Sequence, residues 1–92
     1  MSYELLFHPD ALTDWGKLDK SVREQFKKKL AERLQNPHVP SARLAGRSHR
    51  YKIKLRSSGY RLVYDVVDSR LMVSVVAVGK RERSAVYKVA AS

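Results

Sequence analysis

The sequence predicts an α+β domain in which an antiparallel sheet lays its apolar face on two N-terminal helices. Three observations lead there. Residues Tyr51 to Tyr64, YKIKLRSSGYRLVY, alternate apolar with cationic side chains, the period of two that a strand with one buried face requires. Two stretches before it carry apolar residues at three- and four-residue spacings, as amphipathic helices do. After it, Leu71 to Val78, LMVSVVAV, is a near-continuous apolar run of strand length. The predicted order is β-α-α-β-β-β-α in one domain spanning 1–92, because a chain of 92 residues supports a single core.

Tyr3 to Phe7 reads as the first strand and is ended by Pro9. His8 is placed to cap a helix with Pro9 at its first position and Asp10 in the first turn, where a carboxylate suits the positive helix end. Ala11, Leu12, Trp15 and Leu18 form its expected buried stripe, with Gly16 weakening it. Leu18-Asp19-Lys20 is the break. Ser21 to Glu24 matches the S-x-x-E capping box of a second helix, with Asp19 competing for the cap, and that helix is expected to run to about Leu34. Its stripe is Val22, Phe26, Leu30, Ala31 and Leu34, and Arg23, Lys27, Lys28 and Arg33 lie largely off it as a solvated face.

Gln35 to Arg50 contains Pro37, Pro40 and Gly46 without sustained periodicity and reads as a long basic loop carrying Arg43, Arg47 and Arg50. In the hairpin, Tyr51, Ile53 and Leu55 share one face and Lys52, Lys54 and Arg56 the other. Tyr60, Leu62, Tyr64 and Val66 point one way on the return strand, and Arg61, Val63 and Asp65 the other. With Arg56 facing Gly59 across a Ser57-Ser58 turn, Leu55 meets Tyr60, Ile53 meets Leu62, and Lys54 lies opposite Arg61. A one-residue slip sets Leu62 against Lys54, so the pattern favours the first register. Asp68-Ser69-Arg70 makes a turn. Leu71 to Val78 is expected to be the central strand, buried on both faces and closed by Gly79, before a short terminal helix from about Ser84 to Ala90.

Nineteen Lys and Arg against nine Asp and Glu give a formal charge of +10, which points to a polyanionic partner. A hydrophobic content of 43% places that charge on a fold and not on a disordered tail. Cysteine is absent, the N-terminus lacks a basic leader with an apolar core, and no apolar stretch is long enough to span a bilayer; a cytoplasmic protein without a membrane partner is expected. His8, His38 and His49 are too scattered for a metal site, and neither a metal nor a cofactor is expected. Ser57-Ser58 lacks an elbow motif, and Gly59 stands alone as a turn residue.

RNA cleavage needs less equipment: a group that takes the ribose 2′-OH proton, cations for the charge building on phosphorus, and assistance to the leaving oxygen. Lys52, Lys54 and Arg61 stand close enough to depress a lysine pKa, since a like charge within about 4 to 6 Å disfavours the charged form. The same cations serve simple binding, so the pattern leaves both binding and cutting open.

The strings SVREQFKKKL, YKIKLRSSGYRLVY and VGKRERSAVY resemble the RelE toxins of bacterial toxin–antitoxin pairs, members of the RelE/ParE superfamily, and the resemblance covers essentially the whole chain. It implies a curved antiparallel sheet on two helices, similar to microbial ribonucleases. It also implies a metal-independent endoribonuclease that cuts mRNA in the A site of the 30S subunit of the 70S ribosome. The family's catalytic set maps onto Lys52, Lys54, Arg61, Arg81 and Tyr87: the lysines for proton transfer and phosphate positioning, Arg61 for the transition-state phosphate, Arg81 at the leaving oxygen, Tyr87 stacking on a base. Arg43, Arg47, Arg50, Arg56, Lys80 and Arg83 are expected to bind RNA or the ribosome. The implied partners are a RelB-like antitoxin and, through that complex, operator DNA. This chain departs from the family at Ala45, where relatives often carry arginine, leaving Arg43 or Arg47 to make that contact. The alternatives are a cationic ribosome-binding domain that does not cut, and the ParE-like branch that attacks DNA gyrase.

Overall fold

The computed structural model describes residues 2–46 and 49–80. The order is β1 (Glu4–Phe7), α1 (Pro9–Gly16), α2 (Lys20–Gln35), β2 (Arg50–Leu55), β3 (Tyr60–Val67) and β4 (Met72–Lys80), with short 3₁₀ turns at Pro40–Ala42 and Asp68–Arg70. The predicted helix from Ser84 to Ala90 lies outside the described residues.

Each helix starts where local chemistry allows. His8 caps α1 in extended conformation with Pro9 behind it, as the missing proline N–H predicts. Asp19 is the N-cap of α2, so Ser21 falls inside the first turn and the anticipated S-x-x-E box is not the start. Ala11 and Leu18 are buried, but Leu12 is 53% exposed, because the eight residues of α1 present only a narrow face to the sheet. In α2, Val22, Phe26 and Leu30 are buried at four-residue intervals, while Ala31 is exposed.

The sheet runs β1-β4-β3-β2. β2, β3 and β4 form the antiparallel meander, but β1 pairs in parallel with β4, so the sheet is mixed and not wholly antiparallel. β3 has both edges occupied, and the free edge of β4 accepts β1 in a register that sets Leu5 beside Val73 and Phe7 beside Val75. β4 is therefore interior, as expected, and its apolar run is buried on the helix face throughout but on the other face only at Ala77, with Met72, Ser74 and Val76 half-buried. Between Val63 and Tyr64 the β3–β4 register skips Val76, and this bulge shifts the parity of the strand. Val73, Val75 and Val78 all reach the main core in consequence. Ala77 turns to the opposite face with Val63, where Leu44 and Val76 pack around them. Gly79 does not close the strand but pairs within it, opposite Arg61.

The main core lies between the helices and one sheet face, with Phe26, Leu30, Ile53, Leu62, Tyr64, Val73 and Val75 at its centre. Phe7, Trp15 and Phe26 form a tilted aromatic series (5.1 and 6.1 Å between ring centroids) that joins β1, α1 and α2. No helix among the described residues is long and apolar enough to cross a membrane. Phe26→Ala leaves a cavity at the junction of the helices and the sheet. Its expected cost is about 3–5 kcal/mol in urea unfolding, with an unchanged m-value.

Candidate active site

The face of the sheet away from the helices carries the cations, and its geometry follows from one register. Ile53 pairs with Leu62, Leu55 with Tyr60 and Lys54 with Arg61. Lys52 faces Val63, and Arg61 in turn lies beside Gly79 of β4. Residues 56–59 form the turn: the Gly59 N–H reaches the Leu55 carbonyl (2.9 Å), so Arg56 does not join the ladder as anticipated. Gly59 has φ +76°, a left-handed geometry that a side chain resists, which is why glycine stands there. A recess of ≈ 240 Å³ opens at this end of the hairpin, lined by Lys54, Leu55, Arg56, Gly59, Tyr60 and Arg61.

Lys54 is exposed, and Lys52 and Arg61 are half-buried beside it. The charge of Lys52 is the main cause holding the Lys54 ammonium below the ordinary lysine value; Arg61, slight burial and Arg56 act in the same direction. Gly79, opposite Arg61 on β4, contributes no side chain to that face. A cationic face with one lysine biased toward its neutral form suits a substrate that brings negative charge and a proton to remove.

The other anticipated contacts divide. Arg56 is exposed in the turn. Arg43 is exposed and bridges Tyr51 along the outer side of β2. Arg50 pairs with Asp65 through Nε (2.7 Å) and Nη2 (3.0 Å), so its guanidinium is engaged within the sheet. Lys80 pairs with Tyr60 and sets its ammonium 5.6 Å from the centre of that ring, on the sheet face of Leu62 and Val78 and not on that of Arg61. Arg47, Arg81, Arg83 and Tyr87 lie outside the described residues.

Two interactions were hidden at the level of sequence. Arg33, assigned to a solvated face, reaches the Lys52 carbonyl and the Tyr64 hydroxyl. The signal was its spacing: it stands seven residues after Phe26 and three after Leu30, on the buried stripe. The Arg50–Asp65 pair was also readable, because the register that opposes Lys54 and Arg61 opposes these two.

In solution, the Lys54 titration followed by NMR at Nζ should have a midpoint below that of an ordinary lysine. Lys52→Met should move it up toward that value, and so should high salt, which screens charges on an exposed face. A midpoint indifferent to both would contradict an electrostatic origin for the shift.

Known proteins resemble this chain in sequence and fold. A family model described as the ParE toxin of the type II toxin–antitoxin system parDE matches residues 5–85. The mRNA interferase toxin RelE of Escherichia coli (strain K12) is 56% identical over 87 residues, 95% of this chain and 92% of that protein. The crystal structure of the isolated E. coli RelE toxin superimposes with a TM-score of 0.86 at 53% identity, covering 98% of this chain and 96% of that one. The toxin in the crystal structure of the intact E. coli RelBE toxin–antitoxin complex gives 0.85 at 54% identity over 89% of this chain and 100% of that one. With the matched family model, the fold and these identities in agreement, the chain belongs to the RelE/ParE superfamily of type II toxin–antitoxin toxins, on its RelE side.

Proposed function

We propose that this protein is an endoribonuclease that cuts mRNA in the ribosomal A site and is held inactive by a RelB-like antitoxin. One observation carries the chemical half: Lys54 is depressed by Lys52 and Arg61 on an open sheet face. The name mRNA interferase, borne by a relative 56% identical to this chain, supports the substrate.

In this reading Lys54, deprotonated more readily than an isolated lysine, takes the proton of the ribose 2′-OH. The 2′ oxygen attacks the adjacent phosphorus as the bond to the 5′ oxygen breaks, leaving a 2′,3′-cyclic phosphate and, once the departing oxygen takes a proton from water, a 5′-hydroxyl end. Lys52 orients the phosphate, and Arg61 donates to the oxygens that gain charge in the transition state. Arg81 assists the departing 5′ oxygen, and Tyr87 stacks on a base to hold the in-line geometry. The scheme uses no metal ion. Because Lys54 is a modest base, positioning supplies much of the acceleration, and the ribosome provides it by fixing the RNA. Free RNA is then a poor substrate.

The antitoxin reading rests on the likeness to the toxin of the RelBE complex. An amphipathic antitoxin helix that displaces the terminal segment carrying Tyr87 would disable the site, and the resulting complex would repress its own operon through the antitoxin's hold on DNA. The net charge of +10 fits both an RNA target and an acidic antitoxin.

Primer extension on programmed ribosomes tests the proposal. The wild type should produce a discrete stop within the A-site codon, reduced about 10²-fold in Arg61→Ala as for loss of one transition-state donor, and lost in Arg81→Ala. Inhibition of translation without a cut would leave a ribosome-binding domain instead, and inhibition of gyrase would point to the ParE-like branch. Ribosome affinity should fall steadily as salt rises, because each phosphate contact releases counterions.

A further inference from the structure

Arg33 stands in the last turn of α2, half-buried, and a single nitrogen of its guanidinium serves two acceptors. Nη1 donates to the Lys52 carbonyl (3.2 Å) and to the Tyr64 hydroxyl (2.9 Å). The Tyr64 hydroxyl donates onward to the Pro37 carbonyl (2.9 Å). Tyr64 is fully buried, and its ring stacks on Tyr51 at 5.6 Å with the Arg33 guanidinium 5.8 Å from its centre. The anchor end of this chain of bonds is thus held on every side, whereas β2 is the outer strand of the sheet. Its backbone has no further strand in the described sheet to fix it. The Lys52 carbonyl finds its donor in Arg33 instead, and the Arg50 carbonyl finds one in the Leu44 N–H (2.9 Å). Lys52 itself projects to the opposite face, beside Lys54.

We infer that Arg33 is a positioning residue for the cation cluster: by clamping the Lys52 carbonyl to buried Tyr64, it fixes where the Lys52 ammonium stands beside Lys54. The consequence for cleavage rests on the proposed reaction, while the clamp itself does not. A phosphate contact by Arg33 is the less favoured role, because its Nη1 is turned to two protein acceptors and the side chain is half-buried at the end of α2.

Two variants separate the clamp from packing and from charge. Arg33→Met keeps the aliphatic stem and removes the donors. Tyr64→Phe keeps the ring and the Arg33 charge and removes the hydroxyl that orients it. In the free protein the Lys54 titration, read by NMR at Nζ, should move upward in Arg33→Met and in the same direction, by less, in Tyr64→Phe. The charges facing Lys54 that set this titration are Lys52, Arg61 and Arg56, with Lys52 the largest. On programmed ribosomes Arg33→Met should lower kcat about tenfold with KM within about twofold, the signature of lost transition-state geometry and not of lost binding. An unchanged Lys54 titration in both variants overturns the inference. So does a raised KM at unchanged kcat, which would make Arg33 an RNA contact. A wild type that cuts no mRNA refutes the proposed reaction instead, and the titration then decides the clamp alone.

Discussion

Two like charges face one another on β2 and β3 because the other face of the same ladder leaves no alternative. Ile53, Leu55, Leu62 and Tyr64 are buried, and with the chain reversing at residues 56–59 the pairing that buries them sets Lys54 against Arg61. The magnitudes decide which effect wins. Opposed like charges on an exposed face are screened by solvent and salt and cost little, whereas each large apolar side chain taken from water contributes about 1.5–3 kcal/mol. The core therefore imposes the crowding of cations on the other face, and Lys52 along the strand, followed by Arg61 across it, weakens the hold of Lys54 on its proton. The electrostatics of Lys54 are set in part by packing on the opposite side of the sheet.

Much of that was legible in the sequence, and for a definite reason. In a hairpin a period of two specifies the face of each residue and the turn specifies its partner, so the Lys54–Arg61 pairing followed from the alternation together with the Ser57-Ser58 turn. Less legible was anything decided between distant segments. The parallel pairing of β1 depends on which sheet edge is left free, and no local pattern in Tyr3 to Phe7 encodes that. The run from Leu71 to Val78 looked apolar on both faces because a bulge at Val76 changes which residues point inward halfway along it.

The polar side chains show the same limit. Arg33 and Arg50 were grouped with the other cations by residue type, yet one serves a helix-to-strand clamp and the other a cross-strand ion pair. Charge states what a residue is able to bind, and the fold determines what is already bound to it. A comparable assembly ties the loop after α2 to the start and the middle of the chain: the Asp68 carboxylate accepts from the Tyr3 hydroxyl (2.8 Å) and lies 3.1 Å from His38 Nε2. These partners, Tyr3 foremost, hold the Asp68 carboxyl below its ordinary value. The face that carries the cations is in this way backed by polar links that composition does not reveal.

The outer position of β2 has a further consequence, for the behaviour of the protein among its own copies. A sheet edge offers unpaired backbone groups to any other strand, and lysines along an edge strand keep such strands apart. Lys52 and Lys54 therefore guard the strand on which they stand. A chain whose lysines were exchanged for apolar residues would gain a tendency to self-associate, so the two positions that carry the cation cluster also bear on colloidal stability.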